Sequence, residues 1–335
     1  MKKLSLSITA KFLFALCMAL TMASTIFGAE PGRPERQEDD ARRSLASDQR
    51  PGSLLVYNIY ASSPTESGKQ DTDISMTNVN TTRSAFVHIF FIADGCSTAD
   101  SYICLTPNQT ASFLASDVDP GIKGYIIAYA TNDKGCPTSF NYLIGSESVK
   151  FESGHTASLG AESYAALYNG TLPGCSAADA TVRIALDGVR YNAAPRVLAV
   201  DKIPSAVAGN STMLILNSLE GDLAIGMKTI GTFGGVLFDD AESAFSFSAT
   251  APCQFRSVMS DAFPVTTPVF SRVIPTGRTG WMRLMARDER AISGAVINFN
   301  PNAATRRNAF TGGHNLHHVS YTTGGFLTPV FPPSC

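Results

Sequence analysis

Polar and apolar positions alternate with a period of two along much of this chain, and that pattern predicts strands. Asp73–Val79 (DISMTNV) sets Ile74 and Met76 on one face and Ser75 and Thr77 on the other, as a half-buried strand does. Leu54–Tyr60 (LLVYNIY) is a short apolar and aromatic run. Ala85–Ile92 (AFVHIFFI) is apolar on both faces, which suits a central strand covered from both sides. Tyr102–Leu105, Thr110–Leu114 and Gly124–Thr131 extend the series. Turn signals separate these runs at Asp94-Gly95, Thr106-Pro107-Asn108, Asp119-Pro120-Gly121 and Lys134-Gly135. Short strands punctuated in this way predict a β-sandwich of immunoglobulin-like general type.

The second half repeats the pattern less regularly. Strands are expected at Thr181–Leu186, Arg196–Ile203, Thr212–Asn217, Thr232–Phe238, Ala244–Ser248, Gln254–Met259, Val269–Ile274, Trp281–Met285 and Ala291–Phe299. Ser158–Leu167 (SLGAESYAAL) is the one stretch read as helical, with Gly160 as a weak point. No strand–helix–strand alternation is present, which argues against a parallel-sheet enzyme fold. The fold class expected is therefore all-β, as two β-sandwich domains.

Composition adds limits. The chain has 335 residues, 44% of them hydrophobic and 16% charged, with a formal net charge of -2. That length suggests two domains, divided near Ser153–Gly154 into 53–153 and 154–335, or alternatively near Gly170–Gly174. The near-zero charge gives no reason to expect nucleic acid or an anionic membrane as partner.

The N-terminal segment reads as an export signal. Lys2, Lys3 and Lys11 precede the apolar run Phe12–Leu20, which is too short to span a bilayer. Small residues at Thr21 and Ala23 suit cleavage after Ala23, with Ala29 the alternative, so residues 1–23 are assigned to a signal peptide. Residues 24–52 follow as a charged leader: Glu30–Gly52 is rich in charge and proline, with Leu45 its one large aliphatic, and is expected to be disordered. No later apolar stretch reaches membrane-spanning length, so the mature chain is expected outside the cell or on its surface, with no membrane span.

Cysteine usage agrees with export. Apart from Cys17 in the signal, six remain: Cys96, Cys104, Cys136, Cys175, Cys253 and Cys335. An even number in an exported chain points to disulfides. Proximity pairs Cys96 with Cys104 across a short loop. Cys253 with Cys335 would fasten the tail, which leaves Cys136 with Cys175. The absence of any C-x-x-C spacing counts against a zinc site built on these cysteines.

One dense constellation stands out. Thr311–His318 (TGGHNLHH) holds three of the five histidines, and His314 with His317 or His318 could ligate zinc or another transition metal. On a strand His317 and His318 face opposite ways, so only one of them readily joins His314. The plainer reading, polar loop and strand histidines, is favoured. His88, between Val87 and Ile89, is read as a core histidine, and His155 as a solvated turn residue. Calcium is a weaker cofactor reading, resting on turn carboxylates at Asp71, Asp73, Asp117, Asp119, Asp239, Asp240 and Glu242. Their place in turns is expected for backbone reasons alone.

Nucleophile-elbow, phosphate-loop and dinucleotide motifs are absent from the sequence. The expected function is a non-catalytic structural or binding protein with itself, a glycan or another extracellular protein as partner. Leu54, Val56 and Ile59, just after the leader, form a candidate segment for strand addition to a neighbouring copy. The alternatives are a carbohydrate-binding module using Tyr57, Tyr60, Tyr125, Tyr129 and Trp281, or a hydrolase with dispersed catalytic residues.

Overall fold

The computed structural model describes residues 46–304 and 309–334. The expected signal peptide and most of the leader lie outside those residues. In chain order the strands begin with β1 (Leu54–Ala61), β2 (Asp71–Asn78), β3 (Ala85–Ala93), β4 (Thr98–Leu105), β5 (Thr110–Leu114), β6 (Lys123–Thr131), β7 (Leu143–Lys150) and β8 (Thr156–Gly160). They continue through β9 (Glu162–Tyr164), β10 (Thr181–Leu186), β11 (Ala194–Pro204), β12 (Ser211–Ser218), β13 (Glu220–Asp222), β14 (Gly226–Met227) and β15 (Gly231–Phe238). The last are β16 (Ala244–Ala251), β17 (Gln254–Val258), β18 (Thr279–Ala286), β19 (Ile292–Phe299), β20 (Gly312–Asn315), β21 (His317–Thr322) and β22 (Gly324–Pro329). Two single helical turns, α1 (Ala115–Val118) and α2 (Phe270–Val273), interrupt them.

These strands form five small sheets, not the two β-sandwich domains expected from the strand spacing. The chain is 54% strand and 5% helix, arranged as a five-bladed β-propeller of small sheets. The first sheet runs β4-β3-β6-β1-β9 and the second β5-β2-β7-β8. The third is β17-β12-β19-β20, the fourth β16-β15-β18-β11-β21, and the fifth β10-β22-β13-β14. The chain does not finish one blade before starting the next; it crosses repeatedly between neighbours, as β1, β2 and β3 already show. Nearly all pairings are antiparallel, with β13 on β22 the parallel one among the named strands.

Apolar clusters fill the spaces between successive blades. Tyr57, Ile74, Met76, Ile89 and Phe91 pack the first sheet on the second. Ile59 of the first sheet packs with Val149 and Leu159 of the second and with Ile215 and Ile297 of the third. Leu198, Leu214, Phe233, Leu284 and Val296 lie between the third and fourth. A further cluster unites Leu54, Ile127 and Tyr164 of the first sheet with Ile184 and Phe326 of the fifth, and takes in Ala194 of β11. Each contact is sheet against sheet, which is why the strands read like those of a sandwich. Strand alternation reports that a face is covered and is silent about how many sheets take part.

The described residues belong to one compact unit. Ser153 and Gly154 occupy the turn of the β7–β8 hairpin in the second sheet. Residues 46–52, assigned to the leader on composition, lie against the first and second sheets, where Ser47 bridges Ser163 and Gly52 bridges Leu143.

Two local expectations are corrected. Ser158–Leu167 is not helical: Ala157 and Leu159 are buried while Thr156 and Ser158 are exposed, a period of two that makes β8, and β9 follows. Val269–Ile274 is not a strand but contains α2, whose turn is closed by Val273 and Ile274 N–H groups bonding to Val269 and Phe270 carbonyls. Pro268 and Pro275 bracket it, and proline cannot donate to a strand ladder.

Disulfide pairing is also corrected. Cys96 bonds to Cys253, 157 residues away, so neither the Cys96–Cys104 nor the Cys253–Cys335 pairing holds. Cys96 lies in the β3–β4 turn, and its backbone carbonyl accepts from Met227 N–H, so the long link joins the first sheet to the segment entering β17. Sequence proximity misled because a turn can point its side chain away from its own hairpin. Cys136 bonds to Cys175 as expected, and Cys104 is also disulfide-bonded.

Candidate functional site

The histidine-rich segment spans a change of sheet. β20 pairs with β19 in the third sheet, with His314 opposite Val296. β21 pairs with β11 in the fourth, with His317 opposite Ala199 and His318 opposite Leu198. Leu316 makes the crossing: its side chain is buried in the core between these sheets, and its N–H donates to Gly294 O at 2.9 Å. His314 and His317 therefore flank a fixed anchor on the same side.

Both turn toward Asp201 of β11. His314 Nε2 lies 3.2 Å from Asp201 Oδ1, and His317 Nε2 lies 3.5 Å from Asp201 Oδ2. The ring centroids are 5.5 Å apart. One ligand atom from each residue falls within 4.8 Å of the others, and Asp201 and His317 are exposed. His318 does not join them. It points inward, 3.4 Å from Glu162 Oε2, with 11% of its side chain exposed. Burial by itself lowers the His318 pKa, but the charge and hydrogen bonding of Glu162 outweigh it and the net direction is upward. Asp201 was missed in the sequence because nothing local marks it: it reaches the histidines through the β11–β21 pairing, more than a hundred residues away.

Beneath His318 runs a buried polar seam. Its centre is Asn58, the lone polar residue in the apolar run of β1. A bulge there sets Asn58 and Ile59 opposite Tyr125 alone, which frees their backbone groups from the ladder. Side chains of neighbouring sheets take over. Asn217 Nδ2 donates to Asn58 O (2.9 Å) and Oδ1 (3.0 Å), and Gln254 Nε2 donates to Asn217 Oδ1 at 2.9 Å. Asn58 Nδ2 donates to Glu162 Oε1 at 3.1 Å and to Asn315 Oδ1 at 2.9 Å. Ile59 N–H donates to Glu147 Oε1 at 3.2 Å. Glu147 Oε2 and Tyr164 Oη have no hydrogen-bond partner among the described residues. Burial, reinforced by Glu162, pushes the Glu147 carboxyl well above its usual range.

His88 is sealed on β3. Asp100 can only accept, so His88 Nε2–H donates to it at 2.9 Å, and Nδ1 accepts from Tyr129 Oη at 3.1 Å. Thr328 of β22 continues the chain at Tyr129, and Tyr102 stacks on the ring at 4.1 Å. Burial, opposed by Asp100, lowers the His88 pKa to about 4. His155 is also buried, between Ser153 Oγ and Ser211 O, rather than solvated.

The turn carboxylates of the calcium reading are largely committed. Asp71 accepts from Thr72 N–H and from Ser116 N–H and Oγ, and Asp119 accepts from Tyr60 Oη. Asp239 caps its own turn, and Asp240 holds Arg278 in a two-pronged pair. Four of the five aromatics considered for sugar binding are core residues: Tyr57, Tyr60, Tyr125 and Tyr129 are fully buried. Tyr57 lies so close over Gly145 that any side chain there would collide with it. Trp281 remains partly exposed, stacked on Phe238 at 3.9 Å.

The strand-addition segment is also placed. Leu54, Val56 and Ile59 are buried, and β1 is paired on one side with β6 and on the other with β9 of its own chain. The outer edge of β16 has no pairing partner among the described residues. This strand, Ala244–Ala251 (AFSFSATA), is eight residues long and carries no charge. The two described disulfides suit an oxidising compartment, and no helix among the described residues is long and apolar enough to cross a membrane.

No protein-family model matches the chain, and no curated protein matches it. Among solved structures, the Thermotoga maritima 1070 protein is similar at 11% identity and a TM-score of 0.27, over 36% of this chain and 98% of its own. The oxalate decarboxylase of Lactobacillus farciminis, in a formate complex, is similar at 10% identity and a TM-score of 0.13, over 77% of this chain and 79% of its own. Likeness at these levels carries nothing about the chemistry of this chain.

Proposed function

We propose that this is an exported, non-catalytic structural protein that associates with copies of itself by strand addition at β16. One observation carries the reading: a long, uncharged strand edge has no pairing partner among the described residues. Protein edges are usually blunted by charge, proline or a covering loop, and β16 carries neither charge nor proline. Export is supported by the disulfides and by the signal-like N-terminus. The non-catalytic reading is supported by the fate of the reactive side chains, since Glu147, Glu162 and His88 are buried and held by neighbours.

β1 is not the favoured donor, because its removal would strip out side chains that pack the first, second and third sheets together. An antiparallel meeting of two β16 edges requires no such opening. The test is sedimentation of the wild type against Ser246→Lys/Ser248→Lys, which adds charge at two exposed positions of the edge. Concentration-dependent association that disappears in the variant is expected, with unchanged circular dichroism. A wild type that stays monomeric up to its solubility limit overturns the proposal.

A further inference from the structure

His314 presents a specific electrostatic problem. Its Nδ1 lies 2.9 Å from Asn315 O, and a carbonyl can only accept, so Nδ1 carries a hydrogen. In the neutral ring Nε2 then offers a lone pair, and that lone pair faces an Asp201 carboxylate oxygen 3.2 Å away. Two acceptors at that distance repel unless a proton or a metal ion lies between them. His317 Nε2 meets the other oxygen of the same carboxylate. A committed Nδ1–H with a free Nε2 is also the arrangement that orients histidine ligands in metal sites.

Scale and rigidity agree. A tetrahedral ion with bonds of about 2.0–2.2 Å to imidazole nitrogen and carboxylate oxygen holds its ligand atoms about 3.3 Å apart. His314 Nε2 lies 3.2 Å from one Asp201 oxygen and His317 Nε2 3.5 Å from the other, both close to that value, and one ligand atom from each residue lies within 4.8 Å of the others. His314 is fixed by the β19–β20 ladder and His317 by the β11–β21 ladder, with Leu316 buried between them. Such a prepositioned set avoids most of the ordering cost of binding.

We propose that Asp201, His314 and His317 bind one divalent transition-metal ion of the zinc class. Two imidazoles and one carboxylate suit zinc, copper or nickel and supply too few oxygens for calcium. The ion would tie β20 of the third sheet to β11 and β21 of the fourth, and three protein ligands leave a position for water or an outside ligand. His318 is excluded, because it faces Glu162 on the other side of β21. The proposal is independent of self-association through β16.

The experiment uses the full chain, stripped of metal and then titrated with zinc and with cobalt. One equivalent is expected to bind saturably, and a zinc excess of about 100 times Kd is expected to raise Tm by about 5 °C. Calcium should produce neither effect. His314→Ala/His317→Ala should lose saturable zinc binding while its metal-free circular dichroism matches the wild type, and Asp201→Asn should weaken binding at least about tenfold. Should the double variant misfold, cobalt added to the wild type still decides: it must broaden the imidazole signals of His314 and His317 and spare those of His88 and His155. Absence of saturable binding in the wild type, binding retained in a folded double variant, or broadening that spares His314 and His317 overturns the proposal.

Discussion

His88 and the His314–His317 pair place the same side chain in opposite settings. His88 is sealed under Tyr102 and spends both ring nitrogens on Asp100 and Tyr129. His314 and His317 stand at the surface and aim two nitrogens at one carboxylate. Around His88 the polar groups satisfy one another, so their chemistry is used in holding β3 to β22. At the surface cluster the capacity to bind something else is left over. Burial, rather than residue type, separates polar groups that build the fold from groups free to take a ligand.

The largest effect should come from the seam that shares this sealed character. Asn58→Leu is nearly isosteric, yet it removes the donor to Glu162 and Asn315 and the acceptor for Asn217. An unsatisfied buried group costs about 1–3 kcal/mol, so about 4 kcal/mol of stability should be lost over the several groups affected. Urea unfolding of the disulfide-intact protein measures it. A loss below about 1 kcal/mol would mean that water reaches the seam, and the contrast between sealed and open polar groups would fail.

The seam also shows what was legible in the chain. The strands themselves were: Thr110–Leu114 and Thr181–Leu186 fall where alternation placed them, and most others agree to within a few residues. Alternation is local, and local backbone geometry decides it. Asn58 was visible as the one polar residue of LLVYNIY, but its partners come from β9, β12 and β20, set by pairings no local pattern encodes. The same limit hid Asp201 beside His314, the Cys96–Cys253 bond and the count of five sheets. His317 and His318 were an exception, because opposite facing along a strand is a local property.

A somewhat smaller effect should appear on acidification. His88 is neutral when folded, with its pKa lowered from 6.5 to about 4 by burial. Between those values the unfolded chain takes up a proton that the folded chain does not, so stability is full above pH 6.5 and falls as pH drops toward 4. The shift corresponds to about 3 kcal/mol. His155 changes stability in the same direction and His318 in the opposite one. The diagnostic quantity is thus the difference in pH slope between wild type and His88→Gln. Equal slopes over that window would show that His88 is protonated in place, paired with Asp100, and the contrast between sealed and open histidines would fail.

The smallest effect tests whether the seam is closed to charge. Glu147 gains a hydrogen bond from Ile59 through Oε1, while Oε2 has no partner among the described residues. Burial holds its pKa above the ordinary 4.5, so above that pH the unfolded chain releases a proton that the folded chain retains. Stability therefore declines as pH rises from 4.5, the reverse of the His88 contribution. Glu147→Gln keeps the acceptor and removes the ionisable proton, but it puts an unpartnered amide where Oε2 stood. The two terms offset in part, and the first, which grows with pH, leaves the variant the more stable at about pH 8. Below pH 4.5 that advantage should vanish, because both states of the wild type then carry the proton. Paired urea titrations at about pH 4 and about pH 8 separate the terms. A variant less stable than wild type at the higher pH would show that Glu147 is ionised inside the fold, with a cation or water reaching Oε2, and the seam would then belong with the open cluster above it.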